Sequence, residues 1–336
     1  MKIAIHSSKW SFSEEWIDYC KEREIDYKIV NCYANTIIQD IEDCDALLFH
    51  HHHTDVKDFL FAKQLLFAVE QSGKKVFPNF NTAWYFDDKI GQKYLLESIN
   101  APIVPTLVFY SKEEAIDWVH HTTFPKVFKL RGGAGSTNVK LVKNKKEASK
   151  LINKAFGKGF DSYDRWGNLK EVYRLFILKK QSFRDLLESI RRVFYSTKFA
   201  KTRGRERGYV LFQDFIENNK FDIRVITIDN KAFAIKRLVR ENDFRASGSG
   251  FILYDKKEID VNCVKIAFET STKLRAQCVA YDFVFDEDNT PLIVEINYGY
   301  AHKAYNLCPG YWDINLNWHE GNFKSTDWII ELLIKK

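Results

Sequence analysis

The chain has 336 residues, 45% hydrophobic and 29% charged, with a net charge of +6 from 51 basic and 45 acidic side chains. That balance excludes a disordered polypeptide, and the length accommodates about two domains with sizeable cores. No apolar run approaches about 18 residues and MKIAIHSSKW leads straight into a strand-like stretch, so no membrane span or signal peptide is predicted and the expected location is cytoplasmic.

Residues 2–6, 27–31, 45–50 and 75–78 are short β-favouring runs alternating with helical periodicity near 13–24 and 55–72. This alternation predicts a parallel, doubly wound sheet. Ser11 followed by Glu14 reads as a capping box for the first helix, and Thr54-Asp55 as the start of another. The third strand runs into His50, His51, His52 and His53. Adjacent strand residues point in different directions, so surface or substrate contacts suit this run better than a metal site.

A helix is expected from Asp87 or Asp88 to Asn100, after which Pro102 and Pro105 impose extended chain. Strand 106–110, helix 112–121 and strand 126–130 then lead to RGGAGSTNVKLV at 131–142. Gly132, Gly133 and Gly135 would let backbone N–H groups approach an anion, with Lys129 supplying a point charge to phosphate; the alternative is an ordinary turn. The run is neither a P-loop nor a dinucleotide-binding fingerprint.

After a helix at 145–156, residues 157–208 interrupt the α/β pattern. Ser182 and Asp185 predict a capped helix with Phe183, Leu186, Leu187, Ile190 and Phe194 on one apolar face. Eight basic and three acidic residues lie between Arg184 and Arg207. A solvated helix is the plain reading, but the excess of Arg over Lys suits bidentate capture of carboxylate or phosphate.

Strand 209–216 contains QDFIEN's first residues, strands 221–229 and 232–240 turn at Asp229-Asn230, and the loop ENDFRASGSG precedes a helix at 258–277. Two further strands, within 280–299, flank the turn 286–289. Asp282 lies in the first, and Glu295 and Asn297 share a face of the second. Carboxylates in apolar strands require compensation. With the Asn297 amide they form a hard oxygen set suited to Mg²⁺; the alternative is a salt-bridged hairpin.

Taken in order, Lys129, the glycine loop, QDFIEN, FDIRV, NDFRASGSG and VEIN make residues 75–300 resemble the ATP-grasp superfamily, most of all its ribosomal-protein glutamate ligase branch. The resemblance implies an α/β (α+β) fold: an N-terminal parallel α/β pre-grasp domain over 1–80, then a two-lobed ATP-grasp domain. Its small lobe would span 81–210, with a basic helical insertion at about 157–208, and its large lobe 211–336, with the Mg-binding hairpin. ATP and Mg²⁺ are the implied cofactors, two ions with Mn²⁺ as a substitute.

Position by position, the resemblance implies that Lys89 and Lys129 approach ATP and that Gly132, Gly133, Gly135 and Ser136 form a flap over its phosphates. Gln213, Asp214, Phe215 and Ile216 would form the adenine hinge, and Asp222 would contact ribose. Arg224, Lys236 and Arg245 would face phosphates or the acyl phosphate, and Asp282, Glu295 and Asn297 would hold Mg²⁺. Ala280 stands where many such ligases have an arginine, which leaves the tetrahedral intermediate to Arg245 or to backbone donors at 247–250.

The activity this implies is carboxylate–amine ligation through an acyl phosphate. The expected partners are an amine and an acidic small molecule or glycan, such as a uronate or surface-polysaccharide precursor gripped by the Arg-rich insertion. Two alternatives are an ATP-grasp kinase acting on a hydroxyl and a nucleic-acid-binding module using the basic segment, the latter disfavoured by its small excess of charge. Self-association is left open. The aromatic segment 300–336 is expected either to close the acceptor pocket or to pack as a cap.

Overall fold

The computed structural model describes residues 1–52, 55–132, 138–161, 165–177, 181–195, 198–239 and 251–335. The first part of the chain builds β1 (Ile3–His6), α1 (Ser13–Glu22), β2 (Tyr27–Val30), α2 (Ile37–Asp40), β3 (Ala46–Leu48), α3 (Val56–Gln71), β4 (Lys75–Phe77) and α4 (Phe80–Ala83). The four strands form one parallel sheet in the order β2-β1-β3-β4, as the alternating pattern predicts. IAIH and ALL are fully buried runs because both faces of the sheet are covered. Ala4, Leu47 and Val76 pack with Ala62, Leu66 and Val69 of α3, whereas Ile5 and Leu48 pack with Trp16 of α1.

Asp55 caps α3 by accepting from the Lys57 N–H at 2.8 Å. The Ser11–Glu14 capping box does not form. Phe12 holds the cap position without a side-chain bond; the Ser11 oxygen instead accepts from the Ser13 N–H at 3.1 Å, and its one proton has the Ser8 carbonyl at 2.8 Å or Ser13 Oγ at 2.7 Å as acceptor.

The chain continues through α5 (Lys89–Ser98), β5 (Thr106–Phe109), α6 (Lys112–His121), β6 (Lys126–Lys129), β7 (Val139–Val142), α7 (Lys145–Ala155), β8 (Phe160–Asp161), α8 (Arg165–Ile177), α9 (Phe183–Phe194), α10 (Lys198–Arg203), β9 (Arg205–Glu206) and β10 (Val210–Asp214). An antiparallel sheet runs β5-β10-β6-β7. Phe128, Leu130, Val210 and Phe212 bury one face against Ala115 and Val119 of α6 and Ala148 and Ile152 of α7. In the inserted segment, Ser182 and Asp185 make the predicted reciprocal capping box at the start of α9.

The last part holds β11 (Phe221–Ile228), β12 (Lys231–Leu238), β13 (Ile252–Leu253), α11 (Val261–Leu274), β14 (Cys278–Phe285), β15 (Pro291–Asn297), β16 (Gly310–Asp313), β17 (Trp318–Glu320) and α12 (Ser325–Ile334). Its antiparallel sheet runs β15-β14-β11-β12-β16-β17, with β13 also on β12. Ile223, Val225, Val279 and Tyr281 bury one face against Val264, Ala267 and Phe268 of α11. On the other face Ile226, Ile228, Phe233 and Ile235 pack with Ile329 and Ile330 of α12, each worth about 1.5–3 kcal/mol when fully buried. The aromatic C-terminal segment is packed here: Trp328 stacks on Phe323 at 4.7 Å, and Tyr300 and Tyr305 surround Phe233.

Two compact units result. One comprises residues 87–93 and 104–215; the other comprises 1–86, 94–103 and 216–336. Among the described residues no helix is long and apolar enough to cross a membrane. All six cysteines are buried and free.

Candidate active site

Along β11 the apolar face carrying Ile226 and Ile228 turns polar at Arg224 and Asp222, two and four residues back on the same side. Strand register sets Arg237 opposite Asp222 and Asp282 opposite Arg224. Arg224 donates to both oxygens of Asp282, at 2.5 and 2.8 Å. Arg237 donates to both oxygens of Asp222 at 2.6 Å and reaches Asp282 Oδ1 at 2.9 Å. Arg224 also donates to the Tyr305 hydroxyl. Two charges of each sign cancel, so the four side chains can lie mostly out of water in fixed bidentate geometry.

Burial alone would raise the Asp282 carboxyl, but Arg224 and Arg237 outweigh it and hold it at about 2. At Asp222 burial prevails over Arg237 and the carboxyl is raised.

Glu295 joins the same face through a bulge. β15 pairs Ile293 with Phe283 but Glu295 with Asp282, so Val294 is the extra residue. Asn297, opposite Ala280, follows on that side, and its Oδ1 accepts from the Gly299 N–H at 3.3 Å. Lys236 is not brought to this cluster. It pairs with Ile223, on the opposite face, where its ammonium meets Glu258 at 2.8 Å and lies over the Phe221 ring.

Beyond Asn297 the chain passes the histidine run. A Cβ on Gly299 would come within 3.3 Å of His50 Nε2, so glycine permits the close approach. His50 Nδ1 accepts from the Phe12 N–H at 3.1 Å while its ring stacks on Phe12, and Tyr298 donates to the His51 carbonyl at 2.7 Å. These contacts make the run part of a packed wall. Among the described residues no three His, Cys, Asp or Glu side chains group to hold a metal; His53 lies outside them.

In the smaller unit, Lys129 and Gln213 share the face of the β5-β10-β6-β7 sheet turned away from α6 and α7, both buried. Gln213 donates to Thr106 Oγ1 at 3.0 Å. Asp214 points the other way and accepts from Lys126 Nζ at 2.6 Å, so its carboxylate is committed, and its N–H donates to the Pro105 carbonyl at 2.9 Å. Phe215 and Ile216 follow directly after β10.

Lys89 opens α5, and its N–H donates to the Arg131 carbonyl at 2.8 Å, tying that helix to the beginning of the glycine loop. Around this junction Arg131 meets Asp88 at 2.5 Å and Arg203 meets Asp87 at 2.6 Å. Tyr209 accepts from the Arg131 N–H at 2.6 Å and donates to Glu206 at 2.9 Å. A Cβ on Gly132 would fall 1.5 Å from an Arg203 nitrogen, so the guanidinium occupies the space over that glycine. Arg205 is likewise engaged, by Asp161 at 3.0 Å and the Gly159 carbonyl at 2.9 Å. Gly133, Gly135, Ser136 and Arg245 lie outside the described residues.

Residues 177–308 match the family model of the RimK-like ATP-grasp domain. Over its whole length the chain is similar to a RimK-domain ATP-grasp protein from Sphaerobacter thermophilus, covering 100% of both chains at 14% identity and a TM-score of 0.57. The chain has the ATP-grasp fold. The biotin carboxylase domain of 2-oxoglutarate carboxylase from Hydrogenobacter thermophilus, solved with MgADP and bicarbonate, shares it at 12% identity and a TM-score of 0.61, over 100% of this chain and 70% of that one. D-alanine–D-alanine ligase from Bacillus anthracis does so at 16% identity and 0.51, over 89% of this chain and 86% of that one. No curated protein matches the sequence. The mixed α/β architecture and the superfamily resemblance drawn from the motifs are borne out.

The ATP-grasp donor set for a metal can be tested against these residues. Asp282 and Glu295 face each other across β14 and β15, Asn297 follows on the same side, and Asp282 stays ionised at neutral pH. Two carboxylates and an amide oxygen are hard donors of the kind Mg²⁺ takes, with both Asp282 oxygens also accepting from Arg224. Arg237, which the sequence analysis did not single out, is the β12 cation that joins Asp222 and Asp282, whereas Lys236 faces the other side of the sheet. The signal was there: a two-residue turn at Asp229-Asn230 pairs Ile228 with Lys231 and hence Asp222 with Arg237.

Proposed function

We propose that the chain is an ATP-dependent ligase joining a carboxylate to an amine, with release of ADP and phosphate. The reading is carried by the cluster of Asp222, Arg224, Arg237, Asp282, Glu295 and Asn297 on one sheet face, where two guanidiniums and an oxygen donor set converge. The ligase and carboxylase activities of proteins sharing the fold support the same class of chemistry.

In this proposal Lys129, with Lys89 and the loop at Gly132, Gly133, Gly135 and Ser136, binds the ATP phosphates. Gln213, Phe215, Ile216 and the backbone of Asp214 hold adenine, and Asp222, anchored by Arg237, contacts ribose. Asp282, Glu295 and Asn297 hold Mg²⁺, which when bound supplies charge neutralisation on phosphate oxygens. Arg224, Arg237 and Arg245 stabilise negative charge as the γ-phosphoryl group passes to a carboxylate oxygen and ADP departs. The amine then attacks the acyl carbon, phosphate leaves with the bonding pair, and the nitrogen loses a proton to give the amide.

The test is thermal unfolding with Mg²⁺ and a non-hydrolysable ATP analogue, on the wild type and on Glu295→Gln and Lys129→Met. Nucleotide at about a hundred times Kd stabilises by about 2.7 kcal/mol. A Mg²⁺-dependent rise in the wild type, lost in Glu295→Gln, is expected; an unchanged wild type overturns the reading. A phosphate-release screen of acids, including uronates, against amines then identifies substrates. A phosphorylated acceptor without free phosphate would indicate a kinase instead.

A further inference from the structure

The inserted α8–α9 hairpin leaves apolar stripes in water. Leu186, Ser189 and Val193 are the shielded positions of α9, whereas Phe183, Leu187 and Ile190 recur at helical spacing on another edge and are 60%, 51% and 40% exposed. On α8, Tyr173 and Ile177, one turn apart, are 54% and 61% exposed. Single exposed leucines are ordinary, but five bulky apolar side chains on two packed helices are not. The Phe176 and Phe183 rings lie 6.1 Å apart, and the capping box fixes the start of α9.

The stripe runs beside positive charge. Arg184 and Arg191, seven residues apart, flank the Phe183-Leu187-Ile190 edge and are exposed. From 165 to 201 the sequence carries ten basic and three acidic residues, a local net charge of +7 against +6 for the whole chain. The remainder of the protein is therefore almost neutral, and the excess belongs to this segment.

We propose that the α8–α9 hairpin is a docking surface for an anionic lipid membrane. Phe183, Leu187, Ile190, Tyr173 and Ile177 enter the headgroup region while the flanking arginines and lysines meet lipid phosphates. A second copy of the chain fits the surface poorly, because it would set +7 against +7. Nucleic acid would match the charge but leave Leu187, Ile190 and Ile177 in water. Attachment of this kind requires no membrane-crossing helix.

The test is co-sedimentation of the full chain with vesicles of phosphatidylcholine alone and of phosphatidylcholine with phosphatidylglycerol. The wild type should pellet with the anionic vesicles only, and added salt should weaken the binding. Leu187→Glu/Ile190→Glu and, separately, Arg184→Glu/Arg191→Glu should each reduce it by on the order of tenfold or more. Unchanged melting temperatures would show that the variants fold; if the first pair does not, the charge-reversal pair decides. A wild type that stays in the supernatant, variants that pellet like it, or equal binding to neutral vesicles overturns the proposal. So does a wild-type dimer that the Leu187→Glu/Ile190→Glu variant splits, which would make the stripe a self-association face, or retention by RNA without retention by anionic vesicles.

Discussion

Arg224 and Asp282 meet across β11 and β14 through two parallel hydrogen bonds, Nε to Oδ1 at 2.5 Å and Nη2 to Oδ2 at 2.8 Å. Removing the carboxylate leaves both Arg224 and Arg237 short of a partner in a mostly buried site. Asp282→Ala should therefore cost about 3 kcal/mol at neutral pH, read as a fall in melting temperature of several degrees. The carboxyl is depressed from 3.8 to about 2, so its stabilisation is complete above the ordinary carboxylate range and is lost as pH falls through about 2. The gap between wild type and variant should narrow between about pH 4 and 2; a gap constant over that window would refute the ion-pair account.

Arg237→Lys tests the fork geometry. One ammonium cannot grip both oxygens of Asp222 and also reach Asp282, so the conservative change should destabilise by on the order of 1–2 kcal/mol and lower the rate of nucleotide turnover. Lys236→Ala, one residue earlier but on the opposite face, should leave turnover within about twofold of wild type. Equal losses in the two variants would show that strand register does not select the functional arginine.

Gly132 and Arg203 should behave as a coupled pair. A methyl group at Gly132 needs the space that the Arg203 guanidinium fills, so Gly132→Ala should expel that side chain from its bond to Asp87. Gly132→Ala and Arg203→Ala should each lower the melting temperature, and the double variant should lose less than the sum. The expected coupling energy is about 1 kcal/mol or more. Strict additivity would mean that the two residues do not share this space.

Asp327 opens α12 with Oδ1 buried and lacking a hydrogen-bond partner among the described residues, and burial raises its carboxyl to about 6. A raised acid favours the folded state only while protonated, so this residue's contribution declines as pH climbs from about 4 to 6. Asp327→Asn should be the more stable protein above pH 6, by on the order of 1 kcal/mol, and should converge with wild type below about pH 4. Urea unfolding at pH 4 and 7 measures both ends.

The amino-acid sequence by itself located the parallel sheet, the main hairpins and the capped helix of the inserted segment, but not the short strands and the helix after residue 300. Alternation of period 2 with helical periodicity located the parallel sheet of β1 to β4 and the hairpins at Asp229-Asn230 and 286–289, because burying one face of each element demands those patterns. The Ser182–Asp185 box is likewise local chemistry. The first helix was less legible: the Ser11, Ser13 and Ser8 groups satisfy one another, and no local rule ranks that against a cap.

Tertiary structure decided which charges meet. In an unbroken β14–β15 ladder Asp282 would oppose Val294, leaving Glu295 and Asn297 on the other face; the bulge at Val294 moves both onto the side of Asp282. No residue type at Val294 announces that shift. The engagement of Arg203 over Gly132, 71 positions away in sequence, is equally invisible to periodicity, since it depends on where the inserted segment returns to its sheet. Pattern selects faces because burial is a local demand, whereas a charged pair depends on register and chain return, which only the packed fold supplies.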